Sequence, residues 1–409
     1  MPLNNMLLNL GTLGSVSDGK SEMIYQLSGG IRTQRDSREK KRNITIKAGY
    51  ANIKLWKCNI CELLYSSQYI HDTYKCEPCQ INCELTNTIS FADCPGHQEL
   101  IETMLSSVSL MKGAIIIVSV FEPLKQKPQL IQHLIAAKMA NLNKLIICLN
   151  KCDLVNIKTV NDRKNELEEL LNKLEIKPLV IIPTSFTHKL GINNLLKAIN
   201  LYFNDKFEIN SNHTEFRITR SFDINQPGIN YNQLKGGCIG GSLIEGQLNK
   251  NDVVKILPGI LTKQKDGRYT NEPIITIVLS FESDKKQIEQ VNPGGLVGIL
   301  TEIDPFYCKS DGLKSNIIVK ELDDISVYRD IKISYIKIEE FDGNWDPKNN
   351  DKIFIQVANM SSDGKIVKVN SNILNIELIK PICIMDSSKI LLCIKQPILK
   401  IVGIGKNII

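Results

Sequence analysis

Short apolar runs punctuate the first half of the chain, and stretches with helical spacing follow them. Met6–Leu10, Asn87–Ala92, Ala114–Val120, Lys144–Leu149 and Leu179–Pro183 read as strands. Between them, Gln98–Ser107, Gln129–Ala140 and Asp162–Leu174 repeat their apolar residues with the period of an amphipathic helix. Alternating strands and helices predict an α/β unit with a doubly wound, mostly parallel sheet, whose ligands bind at the carboxyl ends of the strands. From Phe216 onward the period changes. Thr214–Phe222, Val253–Leu257, Ile274–Phe281, Leu296–Thr301, Ile331–Ile338 and Ile353–Val357 are short alternating runs. Turns such as Gln226-Pro227-Gly228, Asn292-Pro293-Gly294-Gly295 and Ser362-Asp363-Gly364 separate them. That rhythm predicts antiparallel β-barrels, and the remaining length suits two small ones with a boundary near Lys320–Ile325. The expected domains are therefore 1–206, 207–321 and 322–409.

Composition narrows this picture only slightly. The 409 residues carry a formal net charge of +6, which permits a polyanionic partner without demanding one. No apolar stretch approaches the length of a membrane span, so no membrane partner is expected. The N-terminus runs almost directly into the first strand, which predicts no targeting peptide. Twelve cysteines without a secretory signal predict reduced thiols in the cytoplasm. Of these, Cys148, Cys152, Cys238 and Cys393 read as small buried residues.

The candidate chemistry begins at Gly14-Ser15-Val16-Ser17-Asp18-Gly19-Lys20-Ser21, a complete G-x-x-x-x-G-K-S loop placed just after the first strand. In a strand–loop–helix context its backbone N–H groups and the helix N-terminus cradle phosphates. Lys20 would reach the β and γ oxygens of a nucleoside triphosphate, and the Ser21 hydroxyl would ligate Mg2+. Asn150-Lys151-Cys152-Asp153 ends another strand. Asp153 can accept hydrogen bonds from guanine N1–H and its exocyclic amine together, whereas adenine would leave that carboxylate unpaired. GTP and GDP are the expected nucleotides.

Asp93-Cys94-Pro95-Gly96-His97 closes a third strand. Asp93 is placed to hold the same Mg2+, Gly96 lets the backbone approach a γ-phosphate, and His97 is the candidate for orienting the attacking water. Arg42-Asn43-Ile44-Thr45-Ile46-Lys47 lies between the loop and Asp93, where a switch segment closes over the metal. Thr45 is its candidate metal ligand. A separate metal site is written in Cys58-x-x-Cys61 and Cys76-x-x-Cys79, two pairs spaced as in a four-thiolate zinc ribbon at about residues 56–84. Cys83 and His71 stand nearby as spare donors.

In this order, the phosphate loop, R-N-I-T-I-K, D-C-P-G-H and N-K-x-D resemble a translational GTPase of the elongation factor Tu type. The closest resemblance is to the gamma subunit of eukaryotic and archaeal translation initiation factor two. It extends through Arg42–Asn52, Arg220–Gly228, Lys235–Ser242 and Asn292–Asp304. The cysteine insertion looks like that subunit too, since elongation factor Tu-like proteins usually lack it. The resemblance implies a P-loop GTPase domain with a zinc-ribbon insertion and two antiparallel β-barrels. It implies delivery of initiator methionyl-tRNA to the small ribosomal subunit, with GTP hydrolysis releasing the tRNA after start-codon recognition. Implied partners are alpha and beta subunits, a GTPase-activating factor and an exchange factor, and unassisted hydrolysis is expected to be slow. Val16 and Ile44 resemble the apolar pair that screens the catalytic histidine, and Asn43 and Tyr50 fall near the implied tRNA pocket. Ser185-Phe186 stands where the family usually has a guanine-supporting Ser-Ala, and Ser15 and Asp18 stand where it usually has His. An elongator, a selenocysteine-specific factor or a sulfate-activation GTPase subunit are the rival readings.

Overall fold

The computed structural model describes residues 7–33, 49–97, 100–203, 213–283, 286–338, 345–385, 388–395 and 399–408, without the side chains of 126 and 231. The chain divides into two compact units, Met1–Phe207 and Glu208–Ile409.

The first unit is built on strands β1 (Leu7–Leu13), β2 (Gly49–Lys57), β3 (Leu64–Gln68), β4 (Glu84–Asp93), β5 (Gly113–Ser119), β6 (Leu145–Asn150) and β7 (Val180–Pro183). They form one sheet in the order β3-β2-β4-β1-β5-β6-β7. The strands from β4 to β7 run parallel, while β2 pairs antiparallel with both β3 and β4. Helices α1 (Lys20–Leu27), α2 (Ile101–Val108), α3 (Pro128–Met139), α4 (Ile157–Lys173) and α5 (Ile192–Tyr202) connect them. Every residue of β5 and of β6 is buried, as strands covered on both faces must be. Ile115, Ile117, Ile146 and Cys148 pack in one cluster with Met23, Ile24 and Leu27 of α1 and Leu195, Leu196 and Ile199 of α5. Their strand neighbours Ile116, Val118, Ile147 and Leu149 are equally buried on the opposite face. The elements expected from sequence shift by only a few residues, but β2, with its buried Lys54, reads poorly as a strand beforehand.

Strand order and register bring the motifs together. β1 sits where the chain reverses direction across the sheet, the usual ligand position in open α/β sheets. Thr12 lies beside Asp93, Ser119 beside Asn150, and Leu149 beside Pro183. Four loops separated by up to about 170 residues in sequence therefore meet at the carboxyl edge.

The second unit contains two barrels. In the first, β8 (Glu215–Phe222), β9 (Cys238–Glu245), β11 (Val253–Lys263), β12 (Tyr269–Ser283), β15 (Val297–Thr301) and β16 (Ile317–Lys320) close through β11–β12 pairing. Shorter strands β10 (Leu248–Asn249), β13 (Lys286–Ile288) and β14 (Gln290–Val291) decorate it. In the second, β17 (Val327–Lys337), β18 (Lys352–Val357), β19 (Met360–Asn370), β20 (Ile373–Cys383), β21 (Ile390–Lys395) and β22 (Leu399–Asn407) close in the order β17-β20-β19-β18-β21-β22. Leu257, Ile317 and Val319 of the first barrel belong to the apolar cluster of the second. Arg268, on the turn joining β11 and β12, donates to the backbone oxygens of Leu378 at 3.2 Å and Arg329 at 3.1 Å. Apolar burial and hydrogen-bonded anchoring thus hold the two barrels to each other. Cys148 and Cys393 are buried as expected, whereas Cys152, in the turn after β6, and Cys238, at the start of β9, are only half-buried. Among the described residues, no helix is long and apolar enough to cross a membrane.

Candidate functional site

The loop after β1 turns through Gly14 (φ 137°), Ser17 (φ 63°) and Gly19 (φ 106°) before α1 begins at Lys20. Gly19 is constrained twice, because a side chain there would also run into the Asn150 amide. Lys20 folds back over the loop, its Nζ donating to the backbone oxygens of Gly14 at 2.9 Å and Ser15 at 2.7 Å. Burial pulls its ammonium below the ordinary lysine value, against the opposing pull of the Asp93 and Asp18 carboxylates. The Ser15 hydroxyl is buried and has no partner among the described residues, as suits a loop that takes a polar ligand. His133 of α3 braces the loop from behind, its Nδ1 accepting the Gly14 N–H at 2.8 Å. Burial, then the charge of Lys20, holds this imidazole down to about 3, so it stays a neutral acceptor.

Asp93 is fully buried at the end of β4. Its carboxylate accepts the hydroxyls of Ser21 at 2.7 Å, Thr33 at 2.5 Å and Thr12 at 3.2 Å. A carboxylate ringed by hydroxyl oxygens is the donor set of a hard cation, so these residues fit Mg2+. Sequence reasoning paired Ser21 with Asp93 but missed Thr12 and Thr33, which belong to no recognised spacing. Gly96 lies against the loop: a Cβ on it would sit 2.5 Å from Lys20 Nζ and 2.9 Å from the Gly14 oxygen. His97 follows, half-buried, and Val16 is 38% exposed. Asn43, Ile44 and Thr45 lie outside the described residues. Tyr50 is half-buried on β2 opposite Ala92, one residue before Asp93.

At the other end of the site, Asn150 joins three segments. Its Nδ2 donates to the backbone oxygen of Asp18 at 2.8 Å, and its Oδ1 accepts the Phe186 N–H at 3.2 Å. Lys151 takes a left-handed backbone (φ 65°), and the Cys152 N–H bonds the Thr184 oxygen at 3.1 Å. Asp153 is held below the ordinary carboxylate value by a hydrogen bond from Ser185 first, with His188, 3.4 Å away, adding to it. It is therefore an ionised acceptor, the state guanine recognition requires. Phe186 is 1% exposed and packs in the same apolar cluster as Leu195 and Ile182. Its ring lies in the core rather than in a base plane, which is how the bulk at this position is accommodated.

The sulfurs of Cys58, Cys61, Cys76 and Cys79 lie within 4.8 Å of one another. A tetrahedral zinc with thiolate bonds sets its sulfurs about 3.8 Å apart. The two pairs are built alike. Cys58 N–H bonds Leu63 and Cys76 N–H bonds Ile81; Glu62 N–H returns to Cys58 and Gln80 N–H returns to Cys76. Glu62 (φ 57°) and Gln80 (φ 56°) occupy matching left-handed positions. The Cys61 N–H holds the Cys58 thiol down to about 6, while a hydrogen bond with Cys61 drives Cys79 up to about 12. Crowded sulfurs of unequal acidity are what a divalent thiophilic ion resolves, and the four residues fit zinc. Cys83 packs in the same small cluster with Trp56, Tyr65 and Tyr74, and neither it nor His71 belongs to the group of four.

Residues 5–205 match the family model described as elongation factor Tu GTP binding domain, and residues 333–405 match initiation factor eIF2 gamma, C terminal. The chain is 33% identical to translation initiation factor 2 subunit gamma of Sulfurisphaera tokodaii, over 93% of this chain and 92% of that one. It is 32% identical to eukaryotic translation initiation factor 2 subunit gamma of Schizosaccharomyces pombe, over 94% and 90%. Among solved structures, a bacterial selenocysteine-specific elongation factor superposes with a TM-score of 0.73 at 19% identity. That superposition covers 98% of this chain and 58% of the other, and it is a likeness of fold.

Proposed function

The chain belongs to the gamma-subunit family of translation initiation factor 2, and on that premise we propose that it carries initiator methionyl-tRNA to the small ribosomal subunit in its GTP state. It is a GTP-binding, GTP-hydrolysing subunit that acts in translation initiation. The observation that carries the finer reading is the meeting of Ser21 and Asp93 at 2.7 Å beneath a loop whose lysine is held in place. A site so built responds to the terminal phosphate of its nucleotide.

In the proposed cycle the domains are 1–206, 207–321 and 322–409. The loop Gly14–Ser21 with Gly96 receives the phosphates, while Asn150, Lys151, Asp153 and the Ser185-Phe186 segment form the guanine end. Lys20 exchanges the Gly14 and Ser15 oxygens for phosphate oxygens, at little cost because its charge is already desolvated. Mg2+ bound by Ser21, Asp93 and Thr45 would offset the charge that builds on the phosphates during transfer. Gly96 donates its N–H toward the γ-phosphate, and His97 orients the attacking water. Val16 and Ile44 keep His97 from that water until assembly is complete. Loss of the γ-phosphate releases the segments around Thr45 and Gly96, and the tRNA with them. Asn43 and Tyr50 face the aminoacylated end of the tRNA in this scheme. Cys58, Cys61, Cys76 and Cys79 would hold zinc, and the ion would tie the segment between β2 and β4 together. Partners are alpha and beta subunits, a GTPase-activating factor and an exchange factor, in the cytoplasm; hydrolysis is slow without activation.

Filter binding tests the proposal with the chain loaded with a non-hydrolysable GTP analogue. Initiator methionyl-tRNA should bind at least about tenfold more tightly than elongator methionyl-tRNA, a difference of about 1.4 kcal/mol. Equal affinities would instead favour an elongator-type factor.

A further inference from the structure

A carboxylate in a phosphate-binding loop opposes an incoming polyanion, and this loop contains Asp18. The side chain is 1% exposed and turned beneath the loop. Its Oδ2 accepts the Ser15 N–H at 2.9 Å, and its Oδ1 accepts the Ser119 N–H at 3.2 Å. That same Oδ1 forms an ion pair with Lys127 Nζ. Lys127 is itself 2% exposed, and a second carboxylate, Glu122, lies 3.5 Å from its Nζ toward solvent. Ser119 ends β5 and Lys127 immediately precedes α3, so the pair fastens the loop to a segment about a hundred residues away in sequence. Lys127 belongs to none of the nucleotide motifs.

We propose that Lys127 is a positioning and charge-balancing residue for the phosphate loop. It cancels the Asp18 carboxylate, so the loop presents its N–H groups and Lys20 to GDP or GTP with no unpaired buried carboxylate behind them. The inference rests on reading this loop as the nucleotide's phosphate cradle. It makes a prediction that a merely structural pair does not. Losing Lys127 strands a buried negative charge under the phosphates, whereas losing Asp18 leaves a buried positive one whose remaining counter-charge is the exposed Glu122. The two changes must therefore affect nucleotide affinity with opposite sign, even though both weaken the fold.

Titration of the purified chain with fluorescent GDP, alongside thermal unfolding, reads this directly. Lys127→Met should weaken GDP binding by about tenfold or more. Asp18→Asn should bind GDP more tightly than the unaltered chain. The double variant Asp18→Asn/Lys127→Met should return to within about threefold of the unaltered chain. If Lys127→Met does not fold, the two remaining variants still decide the matter, since Asp18→Asn must then bind GDP more tightly than the double variant. Equal losses in both single variants, no loss in Lys127→Met, or no recovery in the double variant would overturn the inference. If the unaltered chain bound no GDP, the cradle reading itself would fail, and the inference with it.

Discussion

At the scale of single residues, the proposed guanine end of the site rests on the plainest spacing in the chain. Asp153 and Asn150 stand in a spacing whose chemistry can be read directly, and the hydrogen bond from Ser185 holds the Asp153 carboxyl below the ordinary carboxylate value. Replacing it with Asn exchanges one acceptor oxygen for an amide donor. That donor matches the 2-oxo group of xanthine and clashes with the guanine amine. Asp153→Asn should lose GDP affinity by about a hundredfold or more and gain a preference for XDP, measured by competition against fluorescent GDP. Unchanged preference would place the base elsewhere. Other residues were not legible because their partners are remote in sequence. Thr33 and Thr12 reach Asp93 across 60 and 81 positions, and His133 reaches Gly14 across 119. The partner of Asp18 was equally hidden, since Lys127 lies outside every recognised spacing. Phe186 stands in place of the usual Ala, and only the structure shows that its ring belongs to the core.

At the scale of elements, period and punctuation succeeded where a strand is uniformly apolar or cleanly alternating. They failed where a tertiary contact permits an unlikely residue. In β2, the Lys54 ammonium is satisfied by the His71 oxygen at 2.7 Å and Asp72 at 3.1 Å, so a buried lysine interrupts the apolar pattern. β9 likewise carries Gly240 and Gly241, which lower its strand character. Gly241 is required because a side chain would collide with the backbone of Arg217 on β8. The cysteine element was legible because metal geometry imposes its own spacing. Its two knuckles sit between β2 and β3 and between β3 and β4, against Trp56, Tyr65 and Tyr74. Cys76→Ser should therefore cost the chain its zinc, measured by atomic absorption. Chelation should shift the tryptophan fluorescence, of which Trp56 is one of only two sources. Full zinc content in Cys76→Ser would exclude that residue as a ligand. A chelator that removed zinc without altering the fluorescence would separate the ion from the packing of this element.

At the scale of the whole molecule, the alternating strand–helix half followed by short alternating runs was enough to anticipate an α/β unit and two barrels. Closure of each barrel could not be read, because the β11–β12 and β17–β22 pairings are set by register and twist rather than by residue type. The shared apolar cluster holding Leu257, Ile317 and Val319 with the second barrel predicts that the two barrels unfold together. Tyr335→Ala, in the second barrel, should lower the unfolding temperature of the entire second unit as one transition, seen by calorimetry. Two separate transitions would show the shared core to be energetically minor.

The central claim is that the terminal phosphate of the nucleotide controls the hold on initiator methionyl-tRNA. Its most direct test is the dissociation constant of that tRNA with the chain bound first to a non-hydrolysable GTP analogue and then to GDP. The account predicts at least about tenfold tighter binding in the triphosphate state, with the difference lost in Lys20→Ala. The same affinity in both states would contradict it.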